Sequence, residues 1–467
     1  MREFELVIVG AGPAGIAAAV EAEKAGIGVA VLDEQARPGG QVFRQPPEGL
    51  EITGEDTRSR KSPGAGLLRE FEQSRDRFDY CCHTLVWGIF PNSSEVACLH
   101  DRKSYSIRYR KLFLAAGAYE RPVPFPGWTL PGVMTSGGAQ HLIKSQGVLP
   151  GENILLAGTG PLQLALASQI LAAGGRVAAI LEASDIHNWP RLMRAAFGHW
   201  GLLSEAARYL LAITKAGIPL LRRHVLIEAR GNGEVQEAVI AEVDRDWRYK
   251  PGSQKTLKVD AVCVGYGFVP STELSRLATC EHRFEAESGG WVPVRNACME
   301  TSIAGIYCAG DCSGVGGRLV AVEEGRIAGI SVAQSLGRLS AQQAARLTQP
   351  CLRRLKRMAR LRRELDRISL PGPGLHELAR SDTPICRCQD VTLGEIQEAI
   401  MRGVNDLNEL KRMTRIGMGQ CQGRMCGPGL QSILVGRQGA PPQVVHYLNS
   451  RPPVRPLPLK SLAEHTS

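Results

Sequence analysis

The feature that most constrains this chain is a glycine-rich loop set between a strand pattern and a helix pattern near the N-terminus. The apolar run Phe4–Val9 precedes the loop Gly10–Gly15, and an alanine-rich helical pattern then extends to about Lys24. Such a loop makes a tight turn, lets a pyrophosphate approach the backbone and lets helix and strand pack closely. Phosphates lie at the helix N-terminus, where unpaired N–H groups and the helix dipole favour negative charge. The pattern predicts a dinucleotide site formed by Gly10, Gly12, Pro13, Ala14 and Gly15.

An acidic residue supports the dinucleotide site, and three further segments narrow the prediction to a flavin dinucleotide. Asp33 ends the second strand pattern, where its carboxylate can accept hydrogen bonds from ribose hydroxyls. A glycine pair follows this acid, a later strand pattern ends in small residues, and a Gly-Asp pair closes another strand. Together they add these expected cofactor-binding residues: Glu34, Gly40, Gln41, Ala116, Gly117, Gly310 and Asp311.

In their order along the chain, these segments resemble the flavoproteins with two dinucleotide-binding domains that include glutathione and thioredoxin reductases. The resemblance implies FAD and a contact of Asp311 with the ribityl chain; the alternative is a Gly-Asp turn that only closes a strand. Disulfide reduction needs a cysteine pair with two or four residues between its members. Cys308 and Cys312 are separated by three residues, and Cys81 and Cys82 are adjacent. Thiol–disulfide chemistry is therefore disfavoured.

A second strand–loop–helix unit departs from the first. In Gly158-Thr159-Gly160-Pro161-Leu162-Gln163, glutamine stands where a third glycine is usual, which predicts weaker packing of helix on strand. Glu182, at the end of the next strand pattern, favours a free ribose 2′-hydroxyl over a 2′-phosphate. Gly158, Gly160 and Glu182 are the candidate residues of a site for NAD or ATP. An occupied site and a vestigial one are both open at this point.

Four late cysteines have the spacing of metal ligands. Cys386 and Cys388 precede Cys421 and Cys426, and glycines surround the second pair. Two cysteines from each of two short loops fit a [2Fe-2S] cluster, whereas structural zinc usually has two to four residues within each pair. Two short helices are predicted between the loops, the first with a capping box formed by Thr392 and Glu395. The arrangement resembles the bacterioferritin-associated ferredoxin (BFD) domain.

Composition limits the partners and the location. The net charge of +10 is concentrated in residues 353–367, where eight Lys or Arg residues lie at the spacing of an amphipathic helix. No aromatic residues interleave with them, so nucleic-acid binding is not expected. No apolar run is long enough to cross a membrane, and the N-terminus lacks the pattern of a signal peptide, which favours the cytoplasm. The proline-rich residues 451–459 predict an extended segment, which is either disordered or lies along a partner.

Two long motifs are specific to one family. Residues 120–133 and residues 417–426 closely resemble the larger flavoprotein subunits of opine oxidases, D-hydroxyproline dehydrogenases and hydrogen cyanide synthase. More distantly, the chain is similar to the α subunits of sarcosine oxidase and archaeal proline dehydrogenase. The resemblance implies an electron-transfer subunit of a heteromeric amine dehydrogenase. It implies a partner β subunit, itself an FAD amine oxidase-like protein, with FMN at the interface in several relatives, and a further partner in the form of a small ferredoxin-like subunit.

Two other functions remain open from the residues. A stand-alone NAD(P)H-dependent reductase would take hydride at the second nucleotide site, and a redox sensor would use the flavin domain only as a scaffold. No substrate base is assigned, because His83, His100, His141 and His187 occur singly.

The expected architecture is α/β, with two Rossmann-like domains and a small helical BFD-like domain. The predicted order is a first FAD-binding segment (1–130), a second nucleotide-binding domain (131–270), a second FAD-binding segment (271–345), a basic linker helix (346–375), the [2Fe-2S] domain (376–440) and an extended tail (441–467).

Overall fold

A computed structural model describes residues 1–47, 49, 64–185, 189–439, 441–445 and 447–465. His187 lies outside these residues. The strands are β1 (Arg2–Val9), β2 (Val29–Leu32), β3 (Asp79–Cys81), β4 (Leu85–Phe90), β5 (Glu95–His100), β6 (Lys103–Leu114), β7 (Ala118–Glu120), β8 (Val133–Thr135), β9 (Asn153–Gly158), β10 (Arg176–Glu182), β11 (Leu220–Arg222), β12 (His224–Arg230), β13 (Glu237–Glu242), β14 (Lys255–Lys258), β15 (Ala261–Gly265), β16 (Phe268–Pro270), β17 (His282–Glu285), β18 (Gly290–Pro293), β19 (Ile306–Cys308), β20 (Pro384–Cys386) and β21 (Val391–Thr392).

Helices alternate with these strands through most of the chain. They are α1 (Pro13–Lys24), α2 (Ala65–Gln73), α3 (Ser136–His141), α4 (Pro161–Ala172), α5 (Trp189–Ala196), α6 (Trp200–Lys215), α7 (Glu273–Leu277), α8 (Gly317–Ser335), α9 (Ala341–Ser369), α10 (Leu393–Met401), α11 (Leu407–Thr414), α12 (Gly427–Gln438) and α13 (Leu459–Ala463).

The first nucleotide domain is built on a seven-stranded sheet. Its order is β3-β2-β1-β6-β5-β4, and β19 also pairs with β6. The strands β2, β1, β6 and β19 run parallel, whereas β4 and β5 extend the sheet as an antiparallel hairpin. Helices α1 and α8 pack together against the parallel part, where a Cβ on Gly325 would overlap the Ala14 carbonyl group. The α/β architecture predicted from the sequence is confirmed.

The second nucleotide domain repeats this plan on a smaller scale. Its parallel sheet has the order β11-β10-β9-β15-β8, and a separate antiparallel sheet contains β12, β13 and β14. Two short antiparallel strands, β7 and β16, connect the two nucleotide domains. The carboxyl ends of β1 and β9 each lead into a glycine-rich loop, so both candidate nucleotide sites lie at the edge where α/β proteins bind ligands.

The basic helix α9 bridges the two nucleotide domains. It begins at residue 341, with a capping box between Ser340 and Gln343, and packs against α8 and α5. Arg354 forms an ion pair with Glu323 at 2.7 Å, and Arg357 donates to the Gly198 carbonyl at 2.6 Å. The basic face of this predicted amphipathic helix is therefore partly used for contacts within the chain.

The cysteine-bearing domain is a small helical unit with its own core. The core includes Leu407, Leu410 and Leu430, all fully buried. The predicted capping box is confirmed, because Thr392 Oγ1 accepts from the Glu395 N–H and the Glu395 carboxylate accepts from the Thr392 N–H. Both predicted helices are present as α10 and α11. The Pro-Gly segment before this domain packs on Trp247, so it is a fixed connection.

The proline-rich tail packs on its own chain, a contact that the prediction of a segment along a partner did not include. Val454 is 5% exposed in the core of the first domain, and its N–H donates to the Trp87 carbonyl at 3.0 Å. Ser461 donates to the Arg102 carbonyl at 2.7 Å, and the His465 ring packs edge-on against Trp87. The tail is only partly extended, because residues 452–455 form bends and Leu459–Ala463 form α13. A pattern of prolines, however, contains no information on which surface such a segment contacts.

We expect the substitution Val454→Ala to lower the free energy of unfolding of the first domain by roughly 2 kcal/mol, because it leaves a cavity in a packed site. Val444→Ala is the matched control, since Val444 is 60% exposed and its truncation should change stability by less than about 0.5 kcal/mol. Urea unfolding measures both. Equal, small effects would mean that the tail is not packed in solution.

Candidate cofactor sites

The first glycine loop brings three backbone segments into close contact. Gly10 has φ +105°, and a Cβ there would overlap the Ala115 carbonyl oxygen, while a Cβ on Gly15 would overlap the Gly10 carbonyl oxygen. Gly12 differs, because a Cβ on it would have only the Gly40 Cα within 4.0 Å. Gly10 and Gly15 therefore serve packing. Gly12 leaves open space above the start of α1, where a pyrophosphate can approach the backbone.

The acidic residue after β2 is tied to this loop. Asp33 accepts from the N–H groups of Ala11 at 2.5 Å and Gln35 at 2.7 Å. Burial raises the pKa of Asp33, and the two backbone hydrogen bonds oppose that rise. The Gly39 N–H donates to the Ala11 carbonyl at 2.8 Å, which holds the glycine pair against the loop.

Two residues near Asp33 have roles that the sequence did not indicate. Glu34 forms an ion pair at 2.9 Å with Arg455 of the tail, so the C-terminal segment borders the first site. Gln41 accepts from Arg44 Nη2 at 2.8 Å, and Arg44 Nε is buried without a partner among the described residues. An unpaired guanidinium nitrogen beside the loop fits a site for phosphates.

The Gly-Asp pair follows β19, which pairs with β6, and lies at the same edge of the sheet as the first glycine loop. Gly310 has φ +77°, and its Cβ position lies 3.0 Å from the Ala14 side chain. Asp311 accepts from the N–H groups of Gly316 and Gly317 at 2.9 Å each, and burial raises its pKa. The small residues Ala116 and Gly117 follow β6 at this edge. The structure thus assembles the four flavin segments around one site, and an open Gly12 with flanking carboxylates fits FAD.

Two cysteines on either side of Asp311 have their sulfur atoms close together, which their spacing in the sequence did not predict. Cys308 and Cys312 are both buried, and their sulfur atoms are 3.5 Å apart. The thiol of Cys308 and the N–H groups of Gly117 and Ala116 hydrogen-bond to Cys312 and lower its pKa. The intervening three-residue turn brings the sulfurs together, which a rule based on two- or four-residue spacings misses.

The second glycine loop reproduces the acidic contact of the first. Glu182 accepts from the Gly160 N–H at 3.0 Å and from the Ser184 N–H at 3.0 Å. The expected weak packing at Gln163 is wrong, because its buried amide donates to Ser136 Oγ at 2.9 Å and to the Gly265 carbonyl at 3.3 Å. Glycine at 158 and 265 leaves the space that this amide fills, since a Cβ at either position would lie 2.5 Å from its nitrogen.

The last residue of α9 lies close to this second loop. A Cβ on Gly160 would lie 3.2 Å from the Ser369 hydroxyl oxygen, whereas the equivalent position Gly12 in the first loop is open. Earlier in α9, Arg362 lies beside the loop after Asp311, and its Nη1 is 2.7 Å from the position of a Cβ placed on Gly316. Gly158, Gly160 and Glu182 come together as predicted. The Ser369 side chain, however, lies close to their loop.

The four late cysteines form a nest in which backbone N–H groups point at sulfur. Cys386 accepts from the thiol of Cys426 and from the N–H groups of Gly417, Cys388 and Gln389, which together lower the pKa of Cys386 to about 6. Hydrogen bonds of this kind stabilise thiolates and tune iron–sulfur centres. Two glycines are needed here, because a Cβ on Gly419 would overlap the Cys388 side chain and Gly417 has φ +75°.

The cysteines interact in two pairs, each with one member from each loop. Cys386 interacts with Cys426, and Cys388 interacts with Cys421. Among the residues that the structure describes, no group of three or more His, Cys, Asp or Glu residues is close enough to hold a single metal ion. Two thiol pairs with N–H donors fit a two-iron cluster.

Comparison with known protein families agrees with this geometry. Residues 4–337 match the model for pyridine nucleotide-disulphide oxidoreductases, and residues 384–435 match the model for the BFD-like [2Fe-2S] binding domain. The chain belongs to the pyridine nucleotide-disulphide oxidoreductase family. It carries a BFD-like [2Fe-2S] domain that contains all four cysteines of the nest. The FAD and [2Fe-2S] cofactors expected from the sequence are those of these two families.

Relatives with assigned roles match nearly the whole chain. The HcnB subunit of hydrogen cyanide synthase from Pseudomonas aeruginosa is 36% identical over 97% of this chain and 97% of its own length. An opine oxidase subunit of Rhizobium meliloti is 33% identical over 100% of this chain and 89% of its own length. The chain is therefore an oxidoreductase related over nearly its whole length to named subunits of other enzymes, which supports the predicted electron-transfer role.

Solved structures share the fold at lower identity. L-proline dehydrogenase from P. horikoshii superposes with a TM-score of 0.71 over 98% of this chain and 79% of that chain, at 21% identity. Thioredoxin reductase from T. acidophilum covers 72% of this chain and 99% of that chain, with a TM-score of 0.52 and 20% identity. In the described part of the chain, no helix is both long and apolar enough to cross a membrane.

We expect Gly12→Val to lower the affinity for FAD by about 10-fold or more, because its side chain enters the space left for phosphate and removes charge-assisted hydrogen bonds. Gly201→Val is the control, since Gly201 has no atom within 4 Å of its Cβ position and lies in α6. Flavin released from equal amounts of each purified protein gives the measurement. Full FAD content in the Gly12 variant would contradict the assignment.

We expect Cys388→Ser to abolish the cluster, because each iron needs its thiolates. The unmodified chain should contain two irons and two acid-labile sulfides, and Cys298→Ser, which alters an exposed cysteine outside the nest, should keep both. Metal and sulfide analysis after anaerobic purification decides this. One zinc without sulfide in the unmodified chain would favour the structural-zinc alternative instead.

Proposed function

We propose that this chain is the electron-transfer subunit of a heteromeric dehydrogenase whose partner oxidises a C–N bond of an amino, imino or opine-type acid. When bound, FAD accepts electrons in pairs and releases them singly, and a [2Fe-2S] cluster accepts one at a time. The residues of this chain hold these groups, exclude water and set their separation. Gly12, Asp33 and Asp311 are proposed to hold FAD, and Cys386, Cys388, Cys421 and Cys426 are proposed to hold the cluster.

The observation that carries this proposal is the firm attachment of the cysteine nest to the connection between the nucleotide domains. Trp128 Nε1 donates to the Pro384 carbonyl at 2.7 Å, directly before the first cysteine loop. Arg424, within the second loop, forms an ion pair with Glu273 at 3.1 Å, and both side chains are largely buried. Contacts of this kind fix the two cofactor sites relative to each other, as transfer of electrons within one chain requires.

The partner is proposed from the relatives. Hydrogen cyanide synthase, opine oxidase and sarcosine oxidase all have relatives of this chain as named subunits, which supports a multisubunit assembly here. We propose that the partner, which binds the substrate, is an FAD-containing amine oxidase-like β subunit. FMN at the interface between the two proteins and a small ferredoxin-like subunit complete the proposed assembly.

The second candidate function is a stand-alone NAD(P)H-dependent reductase. It requires a nicotinamide nucleotide on the loop at Gly160, and Ser369 of α9 lies against that loop. The contrast with the open Gly12 supports entry of electrons from a partner over entry from NADH. NAD or ATP in the second site remains a prediction, and a nucleotide bound there would lie next to the Ser369 side chain.

We expect the purified chain, loaded with FAD and iron–sulfur cluster, to reduce no artificial electron acceptor with opines, D-hydroxyproline, sarcosine or glycine. Coexpression with an amine oxidase-like β subunit from the same organism should give turnover, because the substrate site lies on the partner. Substantial amine-dependent dye reduction by the isolated chain would contradict this division of labour. Rapid anaerobic bleaching of its flavin by NADH would instead favour the stand-alone reductase.

A further inference from the structure

A cavity of about 520 Å³ lies between the cysteine domain and the nucleotide domains. We call it the interdomain cavity. It is lined by residues from four parts of the fold: the connection between the nucleotide domains (Arg121 after β7, strand β16 and helix α7), the hairpin β17–β18, the segment after α9, and helix α12. Helix α12 begins directly after Cys426, so the cavity adjoins the cysteine nest and is separate from both glycine loops.

Two arginines place guanidinium groups at this cavity without full hydrogen bonding. Arg121 donates from Nη2 to the Gly289 carbonyl at 2.9 Å, and Arg276 donates from Nε to Thr272 Oγ1 at 3.0 Å. Nε of Arg121 and Nη2 of Arg276 are buried and have no hydrogen-bond partner among the described residues. The indole Nε1 of Trp291, which also lines the cavity, is likewise buried and has no hydrogen-bond partner among the described residues. Three residues that line the cavity therefore each have a buried donor that lacks an acceptor among the described residues.

The acidic residues nearby are already engaged elsewhere. Glu377 at the rim forms an ion pair with Arg248 at 2.8 Å, and Glu273 forms one with Arg424 at 3.1 Å. Burial and the charge of Arg121 lower the pKa of His376, another lining residue, to about 4, so it is neutral. Burying a charge without a partner is costly. Two guanidinium groups at one cavity thus favour binding of an anion there.

The remaining walls favour a flat apolar body. The Arg276 guanidinium lies 4.5 Å from the Tyr447 ring centroid and 5.9 Å from that of Trp291. Val269, Pro270, Phe284 and Ile433 add apolar surface. An aromatic wall with a small number of placed polar groups is the usual composition of a small-molecule site.

We propose that the interdomain cavity binds a small organic anion, with its carboxylate or phosphate group at Arg121 and Arg276 and its flat body against Trp291 and Tyr447. The site belongs to this chain alone and does not depend on the identity of the partner subunit. The Tyr447 hydroxyl packs against Gly427, the residue after Cys426. Tyr447 is therefore a shared wall between the ligand and the cysteine nest.

The test is calorimetric titration of the complete chain, already saturated with FAD so that the first nucleotide site is filled. FMN probes a phosphate on a flat ring, riboflavin probes the same ring without the phosphate, and benzoate probes an aromatic carboxylate. We expect FMN or benzoate to bind, with riboflavin at least about 10-fold weaker than FMN if phosphate is the recognised group.

Three variants locate the binding. Arg276→Gln should weaken the anion by about 10-fold or more, because it removes a charge-assisted hydrogen bond, and Ser432→Trp should block the cavity from α12. Arg283→Gln is the control, since Arg283 lies on the β17–β18 hairpin beside the cavity without lining it and its side chain is 59% exposed, so its replacement should change nothing. Thermal unfolding of each variant verifies that it is folded.

Each outcome decides the proposal. Binding of FMN that both variants weaken identifies a phosphate ligand, and the same result with benzoate identifies a carboxylate ligand. Binding of neither anion to the folded FAD-saturated chain would overturn the proposal. Binding that is unchanged by Arg276→Gln and Ser432→Trp would overturn it as well, because the anion would then lie elsewhere.

Discussion

The backbones of β1, α1 and α8 approach one another at distances that side chains would prevent. A Cβ on Gly15 would overlap the Gly10 carbonyl oxygen, and a Cβ on Gly325 would overlap the Ala14 carbonyl oxygen. These contacts set the height of α1 above the sheet and leave Gly12 facing open space. Asp33 and Asp311 both lie at this edge, where each accepts hydrogen bonds from two backbone N–H groups. The first cofactor site is thus a consequence of backbone packing, and its carboxylates are added to a shape that glycine determines.

The second nucleotide domain shows how the same plan can be kept while the site changes. Glu182 holds its loop as Asp33 holds the first, by accepting from a loop N–H and from the N–H two residues further on. The two loops differ in the space beside the second glycine. That space is open at Gly12, whereas at Gly160 it is approached by the Ser369 side chain. The retained acid maintains the structure of the loop whether or not a nucleotide binds there.

Local patterns could be predicted from the sequence, and long-range contacts could not. The glycine loops, the capping box at Thr392 and the cysteine nest each depend on residues within one short segment or on a spacing that chemistry fixes. The docking of Val454 beside Trp87 and the approach of Ser369 to Gly160 join segments that are far apart in sequence. The Cys308–Cys312 pair was missed for a different reason, because the turn between them determines the distance between the sulfurs.

The docked tail makes the N-terminal domain depend on residues that are synthesised after the cysteine domain. Val454 fills part of its core and Arg455 pairs with Glu34 beside the cofactor loop, while His465 reaches Ser104 and Ser106. Domains generally fold in order during translation, yet this one acquires its full set of contacts only after the cysteine domain has emerged from the ribosome. The order of synthesis therefore couples maturation of the first cofactor site to production of the second, so a polypeptide interrupted before the cysteine domain would also carry an unfinished flavin domain.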